Sequence, residues 1–238
     1  MKQLITILFI VLSVKAFSYE RPTDTTLHIG LQAGICNSKL RNFDPYYADF
    51  NARWGYSVNL FTEYQPSREY AFRGGLCFTN KGFTSKKTFQ NSLNEQFDTT
   101  TFVSLNYFSI PISATYNFGK RFNPYIGVGV NFGILLNARQ YAKLPEFYKN
   151  SQVEPFDIKA NEKYKNFEFS VHALAGIEYK LKPNTAIFAE AKLDYGLSKI
   201  FEGTNIIVGN KIKNNCLHIN LGLKIGIPIK LIVPEPSY

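Results

Sequence analysis

The 238-residue sequence predicts an all-β protein: a closed, antiparallel, eight-stranded transmembrane β-barrel of the outer-membrane type. Three observations predict this class. Eight stretches alternate between bulky apolar residues and small or polar residues, the gaps between them are alternately long and short, and aromatic residues cluster at both ends of the apolar face. Because successive side chains of a strand point to opposite faces, such alternation indicates strands with two chemically different faces.

Composition excludes two other classes. Hydrophobic residues make up 45% and aromatic residues 16% of the chain, which is too much for a largely disordered protein. No apolar run reaches the roughly 18 residues of a membrane-spanning helix, so a helical membrane protein is excluded. The mean hydropathy of -0.15 resembles that of a soluble protein. A membrane barrel also averages near zero, because its residues alternate between lipid and interior.

The first residues have the pattern of a secretory signal peptide. Lys2 precedes an apolar run over residues 4–14, and Ala16 and Ser18 are small residues of the kind that signal peptidase reads. We expect cleavage after Ser18, with cleavage after Ala16 as the second choice and a buried N-terminal element as the alternative. The chain then divides into a signal peptide, 1–18, a barrel, 19–230, and a short C-terminal tail, 231–238.

The last predicted strand shows the two faces most clearly. Its apolar face carries Leu217, Ile219, Leu221, Leu223, Ile225, Ile227 and Ile229, and its other face carries His218, Asn220, Gly222, Lys224, Gly226 and Pro228. The seven upstream strands repeat this pattern. The apolar side chains of eight such faces take up more volume than a narrow barrel interior holds, so we expect the apolar faces to contact lipid. Strands of about ten residues match the tilted span of a membrane strand.

The connections predict which end of the barrel faces outward. Long polar segments at 39–53, 82–102, 140–163 and 198–215 alternate with tight turns at 65–69, 119–123 and 180–184. Outer-membrane barrels have short periplasmic turns and long outer loops. Aromatic girdles are expected at both lipid interfaces. The aromatic residues in 82–102 and 140–163 indicate either a contact surface for a partner or a cap that folds over the barrel mouth.

Four segments resemble the PorT-type outer-membrane β-barrel family of Gram-negative bacteria. They are IGLQAG at 29–34, LNYFSIP at 105–111, PYIGVG at 124–129 and DYGLSKI at 194–200. The resemblance covers about residues 25–230 and implies an integral barrel in the cell outer membrane of a Gram-negative bacterium. One departure is that the chain continues from Lys230 to Tyr238 past the last strand, whereas many such proteins end on a strand with a terminal aromatic residue.

Charged residues on the inward faces form the strongest candidate for a chemical site in the sequence. We call it the interior charge network, and it consists of His28, Glu168, His172, Glu190, Lys192, Asp194 and Lys224. Acids and a histidine in one cavity could perform acid–base catalysis. Buried charges also require compensation by partners, so a structural network that plugs the barrel is the favoured interpretation.

The three cysteines all fall on inward positions. Cys36 and Cys216 lie near the outer side of the first and last strands, which become neighbours when the barrel closes. A disulfide between them is therefore one prediction for an oxidising compartment, and three free inward thiols, including Cys77, are the alternative. The sequence contains no metal motif, phosphate loop or nucleophile elbow, so we expect no catalytic residue, no metal and no cofactor.

The formal net charge of +9 does not indicate nucleic-acid binding, because the basic residues are spread and form no stripe. We expect the partners to be outer-membrane lipid and lipopolysaccharide, with a protein partner contacted through the outer loops, and we expect a monomer. The sequence thus predicts a structural or interaction protein without catalysis. The alternatives are a small ligand- or pore-type transport barrel and a barrel enzyme acting on lipid.

Overall fold

The computed structural model describes residues 26–41, 49–90, 96–143, 157–182, 184–201 and 212–228. Within this part of the chain, eight long strands and one short strand form one antiparallel sheet. The strands are β1 Thr26–Arg41, β2 Asp49–Gln65, β3 Tyr70–Gln90, β4 Gln96–Asn117, β5 Phe122–Lys143, β6 Asp157–Lys159, β7 Phe167–Lys182, β8 Thr185–Gly196 and β9 Lys213–Pro228. A 3₁₀ turn follows β6 at Asn161–Lys163. No helix in the described residues is long and apolar enough to cross a bilayer.

The eight long strands close into a barrel. Neighbouring strands pair in chain order, β5 pairs with both β4 and β7, and the last strand pairs with the first. The seam between β1 and β9 runs in unbroken register from Thr26 opposite Pro228 to Arg41 opposite Lys213. Strand β6 adds three pairs to the outer end of β5. Closure satisfies the strand hydrogen bonds within the ring, as a membrane barrel requires, and the predicted fold class is confirmed.

The two faces point as the sequence predicts. The apolar face is exposed along the strands, with Leu221 69% and Val128 65% accessible. The opposite face is buried and polar or small, and Asn220 and Lys224 on the same strand as Leu221 are only 2% and 4% accessible. The exposed apolar band is therefore the lipid-facing surface, because no aqueous protein leaves such a continuous apolar surface uncovered.

The interior is narrow, and Gly30 and Gly34 are two of the inward positions that require glycine. A Cβ on Gly30 would overlap the ring of Phe61, and a Cβ on Gly34 would overlap the β9 backbone at Ile219. Phe61 in turn packs edge-on against Phe188, 5.8 Å away across the barrel. Glycine on the inward face thus makes room for large side chains from other strands.

One prediction about the connections is wrong. The segment 82–102 was expected to be a long polar loop, but β3 continues to Gln90 and β4 begins at Gln96, with the two residues opposite each other. Strand β5 likewise continues to Lys143, inside the predicted loop 140–163. The prediction failed because the strand ends were placed where the outward positions cease to be apolar, whereas the strands continue past this point with polar outward positions.

The polarity of the sheet reverses at this point. Above Phe78 and Phe108, the outward positions are mostly polar, with Thr84, Lys86, Ser104 and Asn106, and they include the stacked pair of Phe102 and Tyr141. The inward positions now carry buried apolar side chains, namely Phe83, Val103, Leu105, Tyr107 and Leu135. We call this part the outer section and define it as residues 80–90 of β3, 96–107 of β4, 135–143 of β5 and the segments packed on them. A polar exterior around an apolar core is the pattern of a β-structure in water.

Candidate functional site

Toward the short turns, the barrel interior holds a cluster of paired charges that we call the lower cluster. The guanidinium group of Arg73 lies 2.8 Å from Oε2 of Glu63 and 2.7 Å from Oε2 of Glu190. Nζ of Lys224 lies 2.5 Å from Oε1 of Glu63 and 2.6 Å from Oε2 of Glu178. These side chains come from five strands, so the cluster ties opposite walls of the barrel together.

Two uncharged contacts complete the lower cluster. The hydroxyl of Tyr125 donates a hydrogen bond to Oε2 of Glu190 at 3.1 Å. Nδ1 of His28 lies 3.7 Å from Oε1 of Glu63. Each carboxylate therefore has a cationic or hydrogen-bonding partner, which is what allows charges to stay buried.

A second group of charges, the upper cluster, lies toward the long loops and is organised around Asp194. Its Oδ2 lies 2.9 Å from Nε2 of His218, and its Oδ1 lies 3.4 Å from Nζ of Lys192. Lys81 bridges Oε2 of Glu168 at 2.9 Å and Oδ2 of Asp194 at 3.9 Å.

The predicted interior charge network is therefore present as two clusters. All seven predicted residues are buried. His28, Glu190 and Lys224 belong to the lower cluster, and Glu168, His172, Lys192 and Asp194 surround the upper one. The sequence reasoning missed five members, namely Glu63, Arg73, Lys81, Glu178 and His218. Strand parity already placed Glu63, Arg73, Glu178 and His218 inward, and this signal was available.

A small cavity separates the two clusters. It has a volume of about 10 Å³ and is lined by Arg73, His172, Glu190 and Lys192 among others. That volume holds about one water molecule, which needs two to four polar partners. The lining charges can supply these partners. Buried side chains from the described strands lie on either side of this cavity.

The three cysteines are buried and are not bonded to one another in this structure. The Sγ atoms of Cys36 and Cys216 and a ring nitrogen of His218 lie within 4.8 Å of one another. Sγ of Cys36 also donates to the carbonyl oxygen of Asn80 at 3.3 Å. The structure thus brings together the two cysteines that the sequence paired, and their disulfide stays a prediction. Thiolates and imidazole are also the ligands that soft metal ions prefer.

The outer mouth of the barrel is closed by an apolar core. Leu40, Phe83, Leu105 and Tyr107 from the strands pack in one cluster with residues from the loops, namely Ala160, Tyr164, Ile200 and Ile212. The ring of Phe201 lies 5.3 Å from that of Tyr164 and 6.2 Å from that of Phe83. Burial raises the pKa of the Tyr164 hydroxyl above its ordinary value.

This core supports the second interpretation of the long loops, namely a cap that folds over the barrel mouth. The described parts of the segments 140–163 and 198–215 fold down over the barrel mouth as a cap. Other loop aromatics on which the contact-surface interpretation relied, Phe147, Tyr148 and Phe156, lie outside the described residues.

Comparison with protein families decides the classification. A family model described as "Outer membrane protein beta-barrel domain" matches residues 17–202. The chain belongs to this outer-membrane β-barrel family. Together with the closed barrel and its apolar exterior, this places the protein in the outer membrane of a Gram-negative bacterium. A search of curated protein sequences finds no significant match.

Solved structures of outer-membrane proteins are similar to this barrel at low sequence identity. Neisserial surface protein A is 16% identical, with 83% of this chain and 96% of that chain covered and a TM-score of 0.44. A major outer membrane protein from Thermus thermophilus is 12% identical, with 84% and 99% covered and a TM-score of 0.47. OprG from Pseudomonas aeruginosa is 11% identical, with 87% and 97% covered and a TM-score of 0.41. These similarities carry nothing about what the present chain binds.

Basic side chains lie at the outer ends of several strands and in the connections beside them. We call them the basic collar: Lys39, Arg41, Arg139, Lys165, Lys199 and Lys213. The guanidinium group of Arg41 lies over the ring of Tyr195, 3.7 Å from its centroid, and donates to the Tyr195 hydroxyl at 2.7 Å. Tyr195 belongs to the lipid-facing surface, so Arg41 marks the height at which lipid headgroups begin.

Proposed function

We propose that this protein is a closed, non-catalytic barrel that works by interaction at the cell surface. The observation that carries this proposal is the reversed polarity of the outer section. A barrel that served only to seal itself in lipid would need no strands beyond the membrane, yet β3, β4 and β5 continue as a folded structure with a polar exterior. Such a structure displays a defined surface outside the membrane.

The filled interior supports interaction over transport. The lower cluster, the upper cluster and the apolar core are stacked along the barrel axis, and an eight-stranded interior filled by side chains leaves no aqueous channel. We therefore expect no stepwise conductance when the purified protein is added to planar bilayers. Reproducible single-channel steps that vanish on heat denaturation would favour the pore-type alternative.

The positions of the histidines support the proposal that the barrel is not an enzyme. The chain has three histidines, His28, His172 and His218, and all are buried in the interior. A barrel enzyme that acts on lipid needs its acid–base group at the lipid boundary. The narrower assignment to the PorT-type family, suggested by the four sequence segments, is part of this proposal.

The basic collar suggests lipopolysaccharide as one partner. Its lysines and arginines stand beside the headgroup level of the outer leaflet, where lipopolysaccharide carries phosphate groups. A lysine near an anionic membrane surface contributes about 1 kcal/mol of attraction. We propose that the collar binds these phosphates and fixes the height and tilt of the barrel, while the outer section contacts a protein partner.

Binding to lipopolysaccharide in nanodiscs tests the collar. The triple variant Lys39→Gln, Lys199→Gln, Lys213→Gln should weaken binding by about two orders of magnitude, from ~1 kcal/mol for each lysine. The matched control is Lys120→Gln, Lys180→Gln, Lys182→Gln at the short turns, which should bind as the wild type does. Two results would count against the collar. One is equal weakening of lipopolysaccharide binding in both triple variants, and the other is wild-type binding to dephosphorylated lipopolysaccharide that equals its binding to the phosphorylated form.

Photo-crosslinking on intact cells tests the outer section. A crosslinking amino acid at Lys86, exposed on the outer section, should yield a protein adduct of defined mass. The same amino acid at Lys120, in the turn at the opposite end, is the control and should give no such adduct. Identical adduct patterns at both positions would show that the outer section has no dedicated partner.

A further inference from the structure

We propose that Cys36, Cys216 and His218 form a binding site for a thiophilic metal ion of the Zn²⁺ class inside the barrel. The two Sγ atoms and one ring nitrogen lie within 4.8 Å of one another, and all three side chains are at most 1% accessible. This proposal is independent of the interaction role, since it concerns the interior of the membrane barrel.

Strand register brings the three ligands together at the seam where the barrel closes. Cys36 of β1 stands directly opposite His218 of β9, and Cys216 precedes His218 by two residues and shares its inward face. Zn–S bonds of about 2.3 Å and Zn–N bonds of about 2.0 Å place the ligand atoms of a tetrahedral ion roughly 3.5–4 Å apart. The observed group therefore closes around an ion with shifts of about 1 Å or less.

Asp194 supplies the support that metal-bound histidines usually have. Its Oδ2 lies 2.9 Å from Nε2 of His218. A carboxylate on one ring nitrogen fixes the tautomer and directs the metal to the other nitrogen, Nδ1, which lies 3.4 Å from Oγ of Ser57 and would exchange that contact for the metal bond. Asp194 is itself held by Lys192 at 3.4 Å, so its position does not depend on the metal.

Charge balance favours a divalent ion at this place. Two thiolates neutralise one divalent cation, so the occupied site adds no net charge to a buried interior, where uncompensated charge is costly. The ion pairs that join Asp194 to Lys81 and Lys192 stay as they are. Three protein ligands leave a fourth position for water.

The metal site and the predicted disulfide exclude each other, because both use the Sγ atoms of Cys36 and Cys216. A disulfide consumes both thiols and leaves Cys77 as the single free thiol of the chain. A metal site keeps all three cysteines reduced. Counting thiols therefore separates the two states.

The test uses two samples of the full-length barrel. Free thiols are counted, after denaturation in chelator, on the barrel isolated from membranes under acid quench. Metal content is measured by mass spectrometry on the barrel refolded in detergent with Zn²⁺ and desalted. The variants are Cys36→Ser, Cys216→Ser and His218→Asn, and Cys77→Ser is the matched control because Cys77 is also buried but lies outside the group. Folding of each variant is checked by its heat-dependent gel mobility.

We expect about one Zn²⁺ per folded wild-type barrel, three free thiols, and a spectrum with thiolate charge-transfer bands when Co²⁺ replaces Zn²⁺. Cys36→Ser, Cys216→Ser and His218→Asn should lose the metal, and Cys77→Ser should keep it. Asp194→Asn should fold and bind Zn²⁺ ~10- to 100-fold more weakly. A single free thiol in the isolated protein, metal-free wild type after refolding, or equal metal loss in Cys77→Ser would overturn the proposal.

Discussion

Nη1 of Arg73 lies 2.7 Å from Oε2 of Glu190, although the two residues stand on strands β3 and β8 at opposite walls of the barrel. Arg73 also holds Glu63 on the neighbouring strand. One guanidinium group thus connects three strands through the barrel interior. An arginine is suited to this position because its planar fork carries several donors in fixed directions.

Removing this guanidinium should strongly destabilise the barrel. The variant Arg73→Met leaves Glu190 without a cationic partner in the interior, and breaking a buried pair in this way costs about 3–5 kcal/mol. Urea unfolding of the refolded barrel in lipid vesicles measures the difference. Arg73→Lys keeps the charge and should lose less.

A double variant distinguishes unpaired charge from lost packing. If the cost comes from the uncompensated carboxylate, Arg73→Met combined with Glu190→Gln should be more stable than Arg73→Met alone. If the double variant is less stable by the sum of both single changes, the two residues act independently, and the connection across the barrel is energetically unimportant.

Sensitivity to charge should differ between neighbouring residues of β9. Leu221 faces lipid, so Leu221→Arg should cost about 2–4 kcal/mol near the bilayer midplane. Asn220 is buried and accepts a hydrogen bond from Ser57, and Asn220→Ser should cost only about 0.5–1.5 kcal/mol. Refolding titrations in lipid measure both values. The opposite order would mean that the inward and outward faces are exchanged.

The membrane part of this fold was predictable because lipid imposes a simple rule on it. Within the membrane, each strand must be apolar at alternate positions, as β1 is from Ile29 and β9 is up to Ile227. That pattern is visible without any knowledge of which strands pair. The outer section was not predicted, because water imposes the opposite rule on Phe83 and Lys86. A chain that crosses from one solvent to the other changes its pattern without leaving its strand.

The apolar core of the outer section should behave like that of a water-soluble protein. Leu105 is fully buried there, so Leu105→Ala should destabilise the protein by about 2–5 kcal/mol. Ile110, on the same strand, faces lipid instead and is the matched control. Ile110→Ala should cost much less, because lipid fills the space that the side chain vacates. Equal costs would show that the outer section lacks a packed core.

The candidate site was only partly predictable, for a geometrical reason. Strand parity places Glu63, Arg73 and Glu178 correctly on the inward side. It does not reveal that Arg73 reaches Glu190, since this contact depends on barrel diameter and strand stagger. The proximity of Cys36 and Cys216 could be predicted because both lie on the strands that close the barrel. The proximity of His218 to these two cysteines depends on the register of the seam, which the sequence does not reveal.

The cap should weaken at alkaline pH. Burial raises the pKa of Tyr164, so folding favours its neutral form. This contribution is fully present below the ordinary tyrosine pKa of about 10 and is lost as pH rises toward the raised value. The free energy of unfolding of wild type should therefore fall, relative to that of Tyr164→Phe, between about pH 8 and pH 11. A constant difference between the two proteins over that range would contradict a buried Tyr164.

The most direct test of the account is the side of the membrane on which the outer section lies. Because all three native cysteines are buried, a single new cysteine on the surface reports its own accessibility. Intact cells carrying Lys86→Cys or Lys120→Cys are treated with a membrane-impermeant maleimide, before and after the outer membrane is permeabilised. We predict labelling of Lys86→Cys on intact cells and of Lys120→Cys only after permeabilisation. Labelling of Lys120→Cys on intact cells, with Lys86→Cys protected, would contradict the account.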